Sequence, residues 1–180
     1  MKFIKTDLQD AYLVNIERME DERGFFARTW CTREFQDHGL ASSLVQCSIS
    51  FNHKKGTLRG MHFQVSPHEE TKLVRVTAGS VFDVIVDMRL SSKTYLQHFG
   101  VELSAENRTM LYIPKGFAHG FLTLQDNSEI FYQMSEFFVP EASRGIRWND
   151  SALDIHWPEP VRVISKRDEN WPDFHSSITV

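Results

Sequence analysis

Between residues 45 and 138 the chain is a succession of short apolar runs, each closed within a few residues by Gly, Pro, Asn or Ser. Residues 45–51 give way to Asn52-His53-Lys54-Lys55-Gly56, residues 72–76 run on to Gly79, and residues 109–114 end at Lys115-Gly116. Residues 97–103 lead into the turn Ser104-Ala105-Glu106-Asn107, and residues 118–124 and 129–138 flank Gln125-Asp126-Asn127-Ser128, which reads as a hairpin turn. Runs this short, with turn residues at this spacing, are strands. Many of them in series, with almost no helix between, fold as a sandwich or a barrel. Residues 81–89 are the clearest strand: Phe82, Val84, Val86 and Met88 share one face, and Asp83 and Asp87 lie on the other. The apolar face meets a core. The acidic face meets either water or a polar cavity.

The rest of the chain adds little helix. Residues 1–18 read as extended, Glu20-Asp21-Glu22-Arg23-Gly24 as a charged turn, and residues 25–30 as a further strand. Residues 32–40 form one short helix that Gly39 stops. After Pro140 the sequence turns irregular and rich in Trp and Pro, as expected of a tail that packs back across the β core. A length of 180 residues without repeat or linker predicts a single domain, 1–180. The formal charge of -4 argues against a nucleic-acid partner held by bulk electrostatics. No stretch has the apolar length of a membrane span or of a signal-peptide core. Cys31 and Cys47 make neither a disulfide framework nor a metal motif, so the expected setting is a reducing cytoplasm.

Chemistry concentrates in Gly56-Thr57-Leu58-Arg59-Gly60-Met61-His62-Phe63-Gln64, a strand that places a guanidinium three positions from an imidazole. Arg suits a bidentate grip on phosphate or carboxylate, and His is the natural general base near neutral pH. A surface Arg and a hydrogen-bonded His on an edge strand are the plain alternative. A working imidazole needs a carboxylate to fix its tautomer. Asp83, Asp87 and Asp168 are all candidates, and spacing does not choose among them. Tyr132 is either a proton donor or a core tyrosine. His119 is either a second site imidazole or a satisfied core histidine, and Lys72 either steadies an oxyanion or ends a solvated strand. No His-x-His pair, metal-ligand spacing or glycine-rich phosphate loop occurs. Strict alternation sends Arg59 and His62 to opposite faces, so if both line one pocket a bulge near Gly60 must re-aim one of them.

These motifs, in this order, resemble the dTDP-4-dehydrorhamnose 3,5-epimerase family over nearly the whole chain. The likeness runs through Asp21-Glu22-Arg23-Gly24-Phe25-Phe26, the 56–64 stretch, Lys72-Leu73-Val74-Arg75-Val76, Ile113-Pro114-Lys115-Gly116-Phe117-Ala118-His119-Gly120-Phe121, Trp148-Asn149-Asp150 and Ser165-Lys166-Arg167-Asp168. The resemblance implies a cupin-type β-barrel or jelly roll with a few short helices. It implies an isomerase of dTDP-rhamnose biosynthesis, feeding cell-surface polysaccharides, that epimerises a nucleotide-linked 4-keto-6-deoxy sugar with no metal and no cofactor. By the same resemblance His62 takes the proton, Asp168 partners it, Lys72 steadies the enolate and Tyr132 returns a proton on the opposite face. Arg59 holds the diphosphate, Arg23, Gln46, Ser48, Phe26 and Phe138 are further substrate contacts, and His119 and Asp83 support the pocket. A homodimer is implied, with the segment around Arg23 and Phe26 reaching the neighbouring subunit's site. Four positions depart from the family pattern: Ser48 where Asn is common, Arg28 where Glu is usual, and Phe137-Phe138 where a Tyr-Tyr pair is common. They bear on the base or sugar preferred and on whether one or two centres invert. A single-centre epimerase, a ketoisomerase, a non-catalytic sugar-nucleotide binder and a metal-dependent cupin oxygenase are the alternatives.

Overall fold

The structure is a computed structural model and describes residues 1–174. In chain order the strands are β1 (Lys2–Lys5), β2 (Tyr12–Asn15), β3 (Arg18–Asp21), β4 (Gly24–Ala27), β5 (Gln46–Asn52), β6 (Thr57–Gln64), β7 (Lys72–Ala78), β8 (Ser80–Asp87), β9 (His98–Ser104), β10 (Met110–Ile113), β11 (Phe117–Thr123), β12 (Ser128–Met134), β13 (Ser143–Gly145) and β14 (Val163–Ile164). Two short helices accompany them, α1 (Thr32–Asp37) and α2 (Lys166–Glu169). One six-stranded sheet runs β1-β2-β10-β7-β12-β5. The other runs β13-β6-β11-β8-β9, with β14 on β6 as its sixth strand, and β3 and β4 form a separate hairpin. This is the jelly-roll architecture of the cupins.

Residues alternate between the space enclosed by the sheets and their outer faces. Val74, Leu111, Ile113 and Ile130 from the first sheet pack against Val81, Ile85, Phe117 and Phe121 from the second. The outer face of the second sheet is covered too. Val84, Val86, Met61 and Phe63 lie beneath Leu153, Ile155, Trp157 and Phe174, so the Trp-rich tail does pack back across the β core. Both faces of β8 are therefore buried. The apolar even positions meet the tail, and Asp83 and Asp87, each fully buried, point inward. On the outer face of the first sheet, Phe35 of α1 packs over Leu73, Met110 and Tyr112.

Two sequence expectations change. Residues 125–128 do not make a hairpin. β11 already has β6 and β8 on its two edges, so the chain crosses to the other sheet, where β12 pairs with β5 and β7. The corner is fixed by Ser128, whose single O–H faces the carbonyl oxygens of Ser80 and Gln125 at 3.1 and 2.9 Å. A Cβ on Gly79 would lie 2.5 Å from that hydroxyl, so the neighbouring corner between β7 and β8 admits only glycine. The strand expected over 129–138 stops at Met134, because beyond it the backbone of Phe137 and Val139 is held by the Gln64 side chain instead of a ladder.

Candidate active site

Between the inner faces of the two sheets lies a cavity of about 440 Å³. Gln46, Ser48, Lys72 and Tyr132 line it from the first sheet, and Arg59, His62 and His119 from the second, with Phe138 at the rim.

The conflict between alternation and a shared pocket is resolved by a bulge. His62 pairs with His119 and Arg59 with Phe121, so β6 takes three steps where β11 takes two. The extra residue falls at Gly60-Met61 and turns Arg59 toward the cavity. Gly60 is at φ +140°, and a Cβ there would sit 2.5 Å from the Gly120 Cα, so the strands can approach only with glycine at this point.

The same stretch of β6 receives the carboxylate partner. Its outer edge is paired by β13 opposite residues 62–64 and by β14 opposite residues 57–58, which leaves an opening at Gly60. α2 follows β14, with Ser165 as its N-cap accepting the Asp168 N–H at 3.0 Å, and its first turn drops Asp168 into that opening. The Asp168 carboxylate accepts from the Gly60 N–H at 3.4 Å and from His62 Nε2 at 2.7 Å. Because a carboxylate only accepts, the proton sits on His62 Nε2, leaving Nδ1 with its lone pair. Burial pushes the Asp168 carboxyl up, but the hydrogen bonds and charge of His62 and the Gly60 N–H outweigh it and hold the group below the ordinary carboxylate range. The other two candidates go elsewhere. Asp83 accepts from His119 Nε2 at 2.9 and 3.0 Å, and Asp87 is satisfied by Arg89, Ser92 and Thr94.

Tyr132 reaches the cavity from the facing sheet, its ring edge-on to that of His119 with centroids 6.0 Å apart. Its hydroxyl has no hydrogen-bond partner among the described residues. Burial, and then the charge of Asp83, push the phenol far above its ordinary value against a smaller opposing pull from Arg59. The shift favours the protonated phenol.

Lys72 is not a solvated strand end. It is buried, with its ammonium 2.5 Å from the Glu70 carboxylate. Arg59 donates through Nε to the neutral amide oxygen of Asn52 at 2.8 Å, and Arg167 donates to the Ser143 hydroxyl at 3.0 Å. Among the described residues neither guanidinium is matched by a carboxylate, so the two together suit an anion. Gln46 Oε1 accepts the Phe138 N–H at 3.2 Å, and Ser48 stands opposite Tyr132 in register. Arg23 and Phe26 are not brought into this chain's cavity. They sit on the β3–β4 hairpin, Arg23 paired with Asp21 and Phe26 70% exposed. Among the described residues no group of three or more His, Cys, Asp or Glu side chains is gathered as for a metal, and no helix is long and apolar enough to cross a membrane.

Sequence reasoning missed Glu70, Gln64 and Arg167 as cavity residues. Arg167 had a signal, since it adjoins Asp168. Glu70 had one in its i, i+2 relation to Lys72, masked by the adjacent Glu69 that makes the pair look like a solvated turn.

A jelly roll whose interior opposes a carboxylate-held imidazole to a phenol on the facing sheet, beside two uncompensated guanidinium groups, has the parts of an acid–base isomerase for an anionic ligand. A sequence model described as dTDP-4-dehydrorhamnose 3,5-epimerase matches residues 5–176. The dTDP-4-dehydrorhamnose 3,5-epimerase of Methanothermobacter thermautotrophicus is 44% identical over 173 residues, 94% of this chain and 92% of that protein. The crystal structure of the Elizabethkingia anophelis enzyme of the same name superimposes with a TM-score of 0.94 at 40% identity, covering 97% of this chain and 96% of that one. The Legionella pneumophila dTDP-6-deoxy-D-glucose-3,5-epimerase, solved in complex with dTDP-4-keto-L-rhamnose, gives 0.89 at 37% identity over 96% and 92% of the two chains. This chain belongs to the dTDP-4-dehydrorhamnose 3,5-epimerase family.

Proposed function

We propose that this protein epimerises a nucleoside-diphosphate-linked 4-keto-6-deoxy sugar at C3 and C5, the conversion of dTDP-4-dehydro-6-deoxyglucose to dTDP-4-dehydrorhamnose. The observation that carries the reading is His62 on one sheet, held by Asp168 of α2, facing Tyr132 on the other sheet around a single cavity. The 4-ketone acidifies the hydrogens on its two neighbouring carbons. His62 Nδ1 takes one of them as a proton, and Asp168 stabilises the imidazolium that forms. The Lys72 ammonium meets the negative charge developing on the ketone oxygen. Tyr132 then protonates the same carbon from the other face, inverting the centre. Its phenolate and the imidazolium are reset by exchange with solvent. Arg59 and Arg167 hold the diphosphate, and Gln46, Ser48 and Phe138 contact the ligand. Each acid–base role is worth about 100- to 10,000-fold.

Two copies of the chain assemble as a homodimer in this reading. The support is the β3–β4 hairpin, which among the described residues pairs only with itself and exposes Met19, Phe25 and Phe26. In the dimer Arg23 and Phe26 reach the partner's cavity. Cys31 and Cys47 are both free, which suits the cytoplasm. The test is incubation in deuterated water with a panel of dTDP-, CDP- and GDP-linked 4-keto-6-deoxy sugars, followed by NMR. Deuterium entry at C3 and C5 of the dTDP sugar with inversion is the expected result. Entry at one carbon alone would make this a single-centre epimerase, and no entry would reject the reading.

A further inference from the structure

Lys72 and the cavity rim are tied together by one buried amide and one carboxylate, neither of which the proposed chemistry uses. Gln64 closes β6 and is 3% exposed. Its Oε1 accepts the Val139 N–H at 2.6 Å. Since a backbone N–H only donates, this contact fixes which end of the amide is oxygen. Its Nε2 therefore faces the carbonyls of His68 and Phe137, at 3.0 and 3.1 Å, and Glu70 Oε2 at 2.9 Å. The other oxygen of Glu70 takes the Lys72 ammonium at 2.5 Å, where each side chain is only 10% exposed.

Glu70 thus meets a cationic or N–H group at each oxygen, a hydrogen bond from Gln64 Nε2 at one and the Lys72 ammonium as an ion pair at the other. Only a carboxylate does this. An isosteric amide at position 70 would turn one of its two ends into an N–H facing another donor. The ion pair also divides the cavity electrically. Arg59 and Arg167 have neutral partners, whereas Lys72 is compensated. A diphosphate is drawn to the arginine end, and the uncharged ketone is left for the lysine end.

We propose that Glu70, locked by Gln64, is a positioning residue that aims the Lys72 ammonium at the ketone oxygen. The inference rests on the epimerase reading and deepens it by naming what orients its oxyanion donor. An ammonium has three N–H bonds. The ion pair with Glu70 holds the ammonium in place and so restricts the directions in which those N–H bonds point. Freed from that hold, the flexible lysine stem loses its aim, and misplacement of about 1 Å costs on the order of 100-fold.

The experiment is a double-mutant cycle with Glu70→Gln, Lys72→Met and the combined variant. It measures kcat and KM for the dTDP keto-sugar, deuterium entry at C3 and C5, and the Kd for dTDP alone. Glu70→Gln should lower kcat and the exchange rate about 10- to 100-fold, leaving the dTDP Kd within about 3-fold of the parent. In the Lys72→Met background it should cause no further loss of kcat. A residue that merely supports the fold would instead add its cost in both backgrounds, and that additivity would overturn the proposal. So would a Glu70→Gln variant with parental kcat. Gln64→Leu, which removes the lock but not the carboxylate, should lower kcat in the same direction, and a parental kcat there would overturn the part assigned to Gln64. If the parent itself exchanges no deuterium, the epimerase reading fails and this inference with it. If the parent exchanges and the cycle is additive, only this inference fails.

Discussion

Replacing Asp168 with Asn keeps the shape of the side chain and removes the charge that an imidazolium at His62 would face. The two groups are 2.7 Å apart, an interaction of about 6 kcal/mol at an effective dielectric of about 20 and about 1.5 kcal/mol in water. The His62 side chain is 41% exposed, so solvent screens the pair and a value of about 3 kcal/mol, between those limits, is appropriate. That corresponds to about 150-fold in rate. An amide at 168 can also present its N–H to the ring and favour the wrong tautomer, which extends the expected loss in kcat to about 100- to 10,000-fold. The assay is turnover of the dTDP keto-sugar with deuterium entry followed by NMR, alongside the Kd for dTDP, which should stay near parental because Asp168 holds no part of the diphosphate. Stability gives a second readout. The folded state depresses the Asp168 pKa, so the contribution is fully present above the unfolded value of about 3.9 and disappears as pH falls through the lower folded value. The parent should therefore exceed Asp168→Asn in Tm at neutral pH, with the gap closing in strong acid. A variant with kcat within 10-fold of the parent would refute the role given to Asp168.

Tyr132→Phe should abolish inversion, with kcat down at least about 100-fold, while proton abstraction by His62 still exchanges deuterium into the starting sugar with retention. Its Tm should stay within a few degrees, since the hydroxyl has no partner among the described residues. Gly60→Ala forces a Cβ against Gly120 at a φ that L side chains avoid and should cost about 2–4 kcal/mol in chemical denaturation. A loss under 1 kcal/mol would mean that the bulge is not constrained as described. Arg59→Gln should raise KM and the dTDP Kd about 10- to 100-fold and flatten their dependence on salt, with a smaller effect on kcat. A parental Kd would move the diphosphate away from this residue.

Local pattern made much of the architecture legible. The alternation in residues 81–89 is β8, and the clash between alternation and a shared pocket at Arg59 and His62 anticipates the bulge at Gly60. Pairing across sheets was not legible, because it depends on which strand edges are already taken. The supposed hairpin at residues 125–128 fails for that reason. The three-way choice of carboxylate could not be made from spacing either. Asp168 meets His62 across 106 positions because β14 and β13 leave one opening along β6. The family resemblance selected Asp168, and its carboxylate lies 2.7 Å from His62 Nε2. Lys72 shows the converse. A lysine opening a strand looks solvated, and only the folded chain reveals Glu70 and Gln64 closing around it.

The central claim is that the His62 imidazole removes hydrogen from carbon, and the most direct test is deuterium exchange by His62→Ala at saturating dTDP keto-sugar. Exchange at both C3 and C5 should fall about 100- to 10,000-fold, with dTDP still bound at near-parental affinity. Exchange persisting within about 10-fold of the parental rate would contradict the account.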